Sequence, residues 1–344
     1  MDHLRVLKRA LEVTWRYRTL WVFGAILALV TAGGGGGGGG QGSRYSIRGE
    51  DLWPERGGFL FRDVPAHIVS TAIGVGVGLV CLAAILLVAG MVARYVAETS
   101  LIRMVDEHEN TGQKRTVREG FRLGWSHTAF RLFLLDLVVN LPVAAAFLVL
   151  FLLALAPLLL WATENRTAAI VGMVVSVGLI LLLIPLAIVV GVAVSLLMRF
   201  FRRACALEQR GVIESVRRGY ALARRGLNDV LIMALLMLGL GIAYAIVAIP
   251  LGVLIVMIGG VLAALPGILV GWLASLATRG AIPWILGAAV GIPIFVLTVA
   301  VPMLFVGGLA EVYQSTVWTL TYRELRALEI TEPPQLDTAS SKDE

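Results

Sequence analysis

The sequence predicts an all-α fold, a polytopic membrane helix bundle, and three observations carry that expectation. The chain is 58% hydrophobic and only 15% charged, with a mean hydropathy of +0.86, whereas about a quarter of the residues in soluble domains are charged. It contains six runs free of Asp, Glu, Lys and Arg, at Thr19–Ser43, Val64–Ala93, Leu137–Thr163, Thr167–Met198, Val230–Thr278 and Gly280–Ala310. Each exceeds the ~20 residues that a spanning helix needs. The basic residues fall on alternate sides of these runs: 23 of the 29 Lys and Arg precede Thr19, lie in Arg94–Arg131 or Arg199–Arg225, or follow Ala310. The other six are Arg44, Arg48, Arg56, Arg62, Arg166 and Arg279. Six spans follow, with both termini on the cytoplasmic side. The same charges account for a pI of 9.7 without nucleic acid as a partner.

In chain order, the opening stretch MDHLRVLKRALEVTWRYRTLW reads as a basic amphipathic helix with Leu4, Leu7, Leu11 and Trp15 on one face. Its charged part is long for a secretory n-region, which argues for retention despite the small-residue site at Val30-Thr31-Ala32. The eight glycines Gly33–Gly40 have no strand before them and no helix N-terminus after them. They read as an external linker and not as a phosphate loop. The loop Gln41–Asp63, with Trp53, Phe59 and Phe61, is expected to dip into the outer interface. The second span, about His67–Tyr95, carries Gly74 and Gly78 at a spacing that allows close helix contact.

The most informative stretch is Arg199–Leu236, RFFRRACALEQRGVIESVRRGYALARRGLNDVLIMALL. Within it Val212, Val216, Gly219, Tyr220, Ala223 and Leu227 share one helical face, flanked by Arg217, Arg218, Arg224 and Arg225. The pattern is that of a basic helix lying on a bilayer and feeding the next span. It recurs earlier. TVREGFRLGW at 116–125 aligns with GVIESVRRGY at 211–220, pairing Val117 with Val212, Glu119 with Glu214, Arg122 with Arg217, Gly124 with Gly219 and Trp125 with Tyr220. The N-terminal helix is a weaker third copy ending in Thr14-Trp15. Three repeated units result, 1–110, 111–207 and 208–330, each a surface helix followed by two spans, with a polar, disordered tail at 331–344. Within the long run 230–278, Pro250, Gly259-Gly260 and Pro266 predict a break near Ile258, leaving 259–278 re-entrant, interfacial or spanning.

Candidate sites are few. Asp136 and Asn140 sit four apart on the third span, with Pro142 just beyond, and form a candidate intramembrane polar site. The endings Ala93-Arg94-Tyr95, Met198-Arg199-Phe200 and Glu311-Val312-Tyr313 suggest an interfacial ion pair of Glu311 with Arg94 or Arg199. Arg122, Arg217 and Arg218 are candidate lipid-headgroup contacts. Cys81 and Cys205, and the four histidines, show no metal-ligand spacing. Neither a nucleotide loop nor a serine elbow is present, and no catalytic, cofactor or metal role is expected.

The Arg199–Leu236 stretch, with its aromatic-basic helix end, Glu208, Glu214, Arg217-Arg218-Gly219-Tyr220 and Leu222, resembles a family of uncharacterised prokaryotic multi-pass proteins. That family is typified by the membrane domain attached to some glycerophosphodiester phosphodiesterases. The resemblance implies the helix-into-span architecture. No residues remain for a phosphodiesterase barrel, so it does not imply that activity. The expectation is a non-catalytic membrane module that binds lipid or a membrane-protein partner, another copy of itself included; the alternative is a permease for a small solute or lipid, motivated by the repeats, the glycines and Asp136.

Overall fold

The computed structural model describes residues 1–33, 66–162, 166–209, 211–277, 280 and 282–331. The glycine run beyond Gly33, the loop with Trp53 and the tail beyond Thr331 lie outside these. The described residues form nine α-helices: α1 (His3–Arg16), α2 (Thr19–Gly33), α3 (Ala66–Thr111), α4 (Val117–Gly124), α5 (His127–Leu155), α6 (Arg166–Glu208), α7 (Val212–Arg225), α8 (Leu227–Ala277) and α9 (Ile282–Thr331). A 3₁₀ segment, Ala156–Ala162, extends α5. All-α organisation is thus the fold, and five helices, α3, α5, α6, α8 and α9, are long and apolar enough to cross a membrane. The expected first span is shorter: α2 has 15 described residues, about 22 Å at 1.5 Å per residue.

The long helices do not stop where their apolar runs stop. α3, α6 and α9 continue beyond Ala93, Met198 and Ala310 as unbroken charged helices, because no helix breaker follows those positions. α3 ends only at Gly112, whose φ of +69° suits glycine and whose N–H caps the carbonyl of His108 at 2.8 Å. The three charged extensions meet one another, and each receives one short helix: α4 on α3, α7 on α6, and α1 on α9. This assembly is the base of the molecule.

Nearly all buried side chains belong to the base. Phe200, Ala204, Leu222, Val230, Met233, Trp318 and Tyr322 form one core with Val6 and Ala10. Tyr17, Leu20, Phe23, Leu101, Met104 and Val312 form a second. Away from the base the apolar segments are arms: α8 with α9, α5 with α6, and α2 between α3 and α9. Between none and 6% of the residues in each arm's apolar window are buried inside the chain. The side chains that would be costly in water therefore face outward along the arms, as a bilayer allows.

The break expected near Ile258 does not occur. α8 is continuous for 51 residues and carries Pro250 and Pro266 inside it. Its neighbour supplies the reason. The α8–α9 pair is antiparallel, with Gly226 against Leu325, Gly252 against Met303 and Gly259 against Val299. In that register Ala245 falls level with Ala310, so the first part of the uncharged run, Val230–Tyr244, lies alongside the base and buries Val230 and Met233 there. The remainder forms the arm. Near its tip, a Cβ on Gly287 would sit 2.6 Å from the Gly267 carbonyl oxygen, so glycine permits backbone contact there. Among the described residues the contact expected of Gly74 and Gly78 is not formed: both are exposed, and nothing lies within 4 Å of either Cβ position.

Candidate functional site

The base is held by a layer of ion pairs at the level where the apolar runs end. Arg202 of α6 is its centre. Its Nε and Nη2 donate to Oδ1 and Oδ2 of Asp136 on α5 at 3.0 and 2.7 Å, and its Nη1 donates to both carboxylate oxygens of Glu98 on α3 at 2.9 and 3.1 Å. Tyr95 adds a hydroxyl donor to Asp136 at 3.1 Å. One guanidinium thus bridges three helices, with Arg, Glu and Asp side chains 16%, 15% and 10% exposed. A planar, forked cation suits this role, bidentate to Asp136 and bifurcated to Glu98 through Nη1; a lysine would not.

Around it, arginines close helix ends. Arg103 donates to the carbonyls of Leu123 and Ala206, at the ends of α4 and α6, and to Thr128 near the start of α5. These carbonyls have no partner within their own helices. Arg203 is buried and donates to the carbonyls of Arg199 and Ser315 at 2.7 and 3.1 Å. On the outer side Arg323 joins α9 to Asp106 and Asn110 of α3, and Arg9 of α1 pairs with Glu109 at 3.0 Å.

Of the residues read from sequence, Asp136 belongs to this layer but Asn140 does not. Asn140 is exposed one turn farther out, where α5 has passed the base, so the pair makes no polar pocket. Glu311 lies in the fields of Arg199, Arg94 and Glu98, yet the expected ion pair is not formed. Arg199 instead lies 4.9 Å from the centre of the Trp318 ring and faces the side-chain amide of Gln314, whose oxygen accepts from it at 2.8 and 2.9 Å once the amide is turned over; Arg94 lies over Tyr95 at 6.0 Å. Arg122 and Arg217 are exposed on α4 and α7. Arg218 is turned inward: it binds Glu329 of α9 through two bonds of 2.9 and 2.6 Å, which hold its guanidinium above the ordinary arginine range. It is an internal tie and no headgroup contact.

The surface helices leave residues of their expected apolar faces outward and pack a second face on the base. α1 buries Val6, Ala10, Val13 and Thr14, and leaves Leu4, Leu11 and Trp15 exposed. α7 buries Ser215, Gly219, Leu222 and Ala223, while Tyr220 and Leu227 face outward. On α4 and α7 a glycine takes the inner face where it lies very close to its neighbour: a Cβ on Gly124 would meet the Ser100 hydroxyl at 2.1 Å, and one on Gly219 the Phe201 ring at 2.6 Å. Sequence reasoning missed Glu98 and Arg202 altogether. The available signal was helical spacing, since Glu98 lies three residues past Tyr95 and Arg202 four past Met198.

Among the described residues no group of three or more His, Cys, Asp and Glu could hold a metal ion. A shallow hollow of about 280 Å³ lined by Arg5, Arg9, Glu109, Arg323, Glu324, Val6 and Leu320 mixes both signs of charge and favours no single class of ion. Residues 1–322 match a family of unknown function, DUF7544, and the chain belongs to that family. No curated protein and no solved structure matches the chain.

Proposed function

We propose that this multi-pass membrane protein is a non-catalytic lipid-binding module of a prokaryotic cytoplasmic membrane, its base on the cytoplasmic face and its surface helices against anionic phospholipid. The observation that carries this reading is the division of labour within the basic residues. Arg103, Arg202, Arg203 and Arg218 are consumed by contacts inside the base, whereas Lys8, Arg118, Arg122, Arg217 and Arg224 are exposed on the three surface helices. Each basic group near an anionic surface contributes about 1 kcal/mol of attraction. The concentration of Lys and Arg at the base end supports the cytoplasmic orientation. The resemblance to the membrane domain attached to glycerophosphodiester phosphodiesterases fits a lipid setting and is carried as part of the proposal.

A permease needs a polar path along the arms. Asp136 is enclosed by Arg202 and Tyr95, and Asn140 points elsewhere, so transport is the weaker reading. The test is to purify the full chain from a mixed bilayer at low salt and quantify the retained headgroups by native mass spectrometry. Enrichment of anionic over zwitterionic lipid, reduced in the Arg122→Gln/Arg217→Gln variant, is expected. Equal retention of both lipid classes by the unaltered chain would overturn the reading.

A further inference from the structure

The three surface helices are double-faced, and their outer faces carry an aromatic residue at one repeated position. Trp15, Trp125 and Tyr220 are 65%, 73% and 52% exposed. In each case the preceding residue, Thr14, Gly124 or Gly219, is buried against the protein. The small inner residue therefore fixes where the outer aromatic stands.

That height can be read from contacts. Glu98 meets Arg202 and Arg203 meets Ser315, which brings the ends of three apolar runs, Ala93, Met198 and Ala310, to one level. Gly124 packs on Val96 and Ser100, and Gly219 on Phe200 and Phe201, so Trp125 and Tyr220 stand about one helical turn to the charged side of that level. Trp15 lies 6.0 Å from Trp21, whose ring meets Phe305 of the α9 arm edge-on at 5.4 Å. All three aromatics thus stand near the level at which the apolar runs end. Beside them are exposed cations, Arg16 and Arg18, Arg122, and Arg217 with Arg224, and apolar neighbours farther back on the same helices, Leu11, Phe121 and Ile213.

We propose that Trp15, Trp125 and Tyr220 are three equivalent anchors that insert into the headgroup layer of an anionic bilayer and seat the base at a fixed depth. An amphipathic ring with flanking arginines fits this layer, where one side is wet and negatively charged and the other apolar. The occupant of the outer faces is therefore phospholipid. The faces are continuous with the lipid-facing arms, and their charge complements phosphate.

The proposal rests on the lipid-surface reading, and its test separates the two. In the Cys81→Ala background, Trp15→Cys, Trp125→Cys and Tyr220→Cys are each labelled with an environment-sensitive fluorophore and reconstituted in nanodiscs containing phosphatidylglycerol and headgroup-nitroxide lipid. The control is Leu328→Cys, exposed and 18 residues beyond Ala310, about 27 Å along α9. Quenching at the three anchor sites at least about twofold stronger than at the control is expected; quenching equal to the control overturns the anchors. If an anchor variant does not fold, Leu11→Cys, Phe121→Cys or Ile213→Cys reports the same face with the aromatic intact. Retained anionic lipid without quenching removes the anchors and keeps the broader reading. Quenching without such retention keeps the anchors and removes the preference for anionic lipid.

Discussion

At the scale of single residues the decisive group is Arg202, because it neutralises Glu98 and Asp136 at once. Removing it leaves two carboxylates facing each other with little water. Arg202→Met is expected to cost about 3–5 kcal/mol, the usual cost of orphaning one side of a buried ion pair, seen as a lowered thermal midpoint in detergent. Combining it with Glu98→Gln and Asp136→Asn should restore most of the loss, since no charge is then stranded. A second residue-scale prediction concerns α4, eight residues long and dependent on its cap. Thr116 N–H donates to the Glu119 carboxylate at 2.9 Å, the main cause holding that carboxyl below the usual glutamate range, with the Thr116 hydroxyl adding to it. A lowered folded value means the stabilisation is complete above the ordinary glutamate range and is lost as pH falls through the lowered value. Amide exchange across 117–124, corrected for intrinsic rates, should accelerate on acidification, and Glu119→Gln should remove that dependence. Asp136 was legible in the sequence because an acid beside an apolar run is rare. Its partners were not, since a pairing between α3, α5 and α6 depends on how far each helix continues past its apolar run, and neither composition nor periodicity encodes that. The same blindness assigned Arg218 to lipid and Glu311 to Arg94 or Arg199.

For whole elements, existence was easy to read and faces were not. Uncharged runs longer than a bilayer mark α3, α5, α6, α8 and α9 directly. The faces by which α1 and α7 pack on the base, Val6, Ala10, Val13 and Thr14 on one and Ser215, Gly219, Leu222 and Ala223 on the other, were not read, because the most hydrophobic side chains mark the outward face, while small inner residues let helices approach closely. Gly124→Val should accordingly cost more than the usual ~1–3 kcal/mol of overpacking, as its Cβ would lie 2.4 Å from the Val96 carbonyl oxygen. Gly178→Val, with nothing within 4 Å, should leave the melting curve unchanged, and equal effects would contradict the packing described. The proline and glycine positions of α8 were read as a break, yet a helix supported along its side by α9 tolerates them. Spin labels at Val230 and Leu276 should therefore lie about 69 Å apart by the rise of a continuous helix, less any bend at Pro250 and Pro266. A re-entrant turn near Ile258 would bring them much closer.

Over the whole molecule, each charged extension carries one short helix: α4 packs on α3 and α7 on α6, the extension that precedes it in each case, whereas α1 rests on α9, which follows it. α2 follows the same route, with Gly24 so close to Gly308 that a Cβ would approach its carbonyl oxygen to 2.3 Å. A chain ending at Thr278 should therefore lose the seats of both α1 and α2 together with the Arg323–Asp106 and Arg218–Glu329 ties. Limited proteolysis should cut it in α1 and α7, where the complete chain resists.

This closure has a consequence for biogenesis. Much of the seat of α1 is on α9, so in the nascent protein α1 waits incompletely seated until some three hundred further residues have been made. Assembly of the base is thereby gated by synthesis of α9. A product interrupted before α9 would leave α1 without that part of its seat, and incompletely packed species of this kind are what cellular proteases remove.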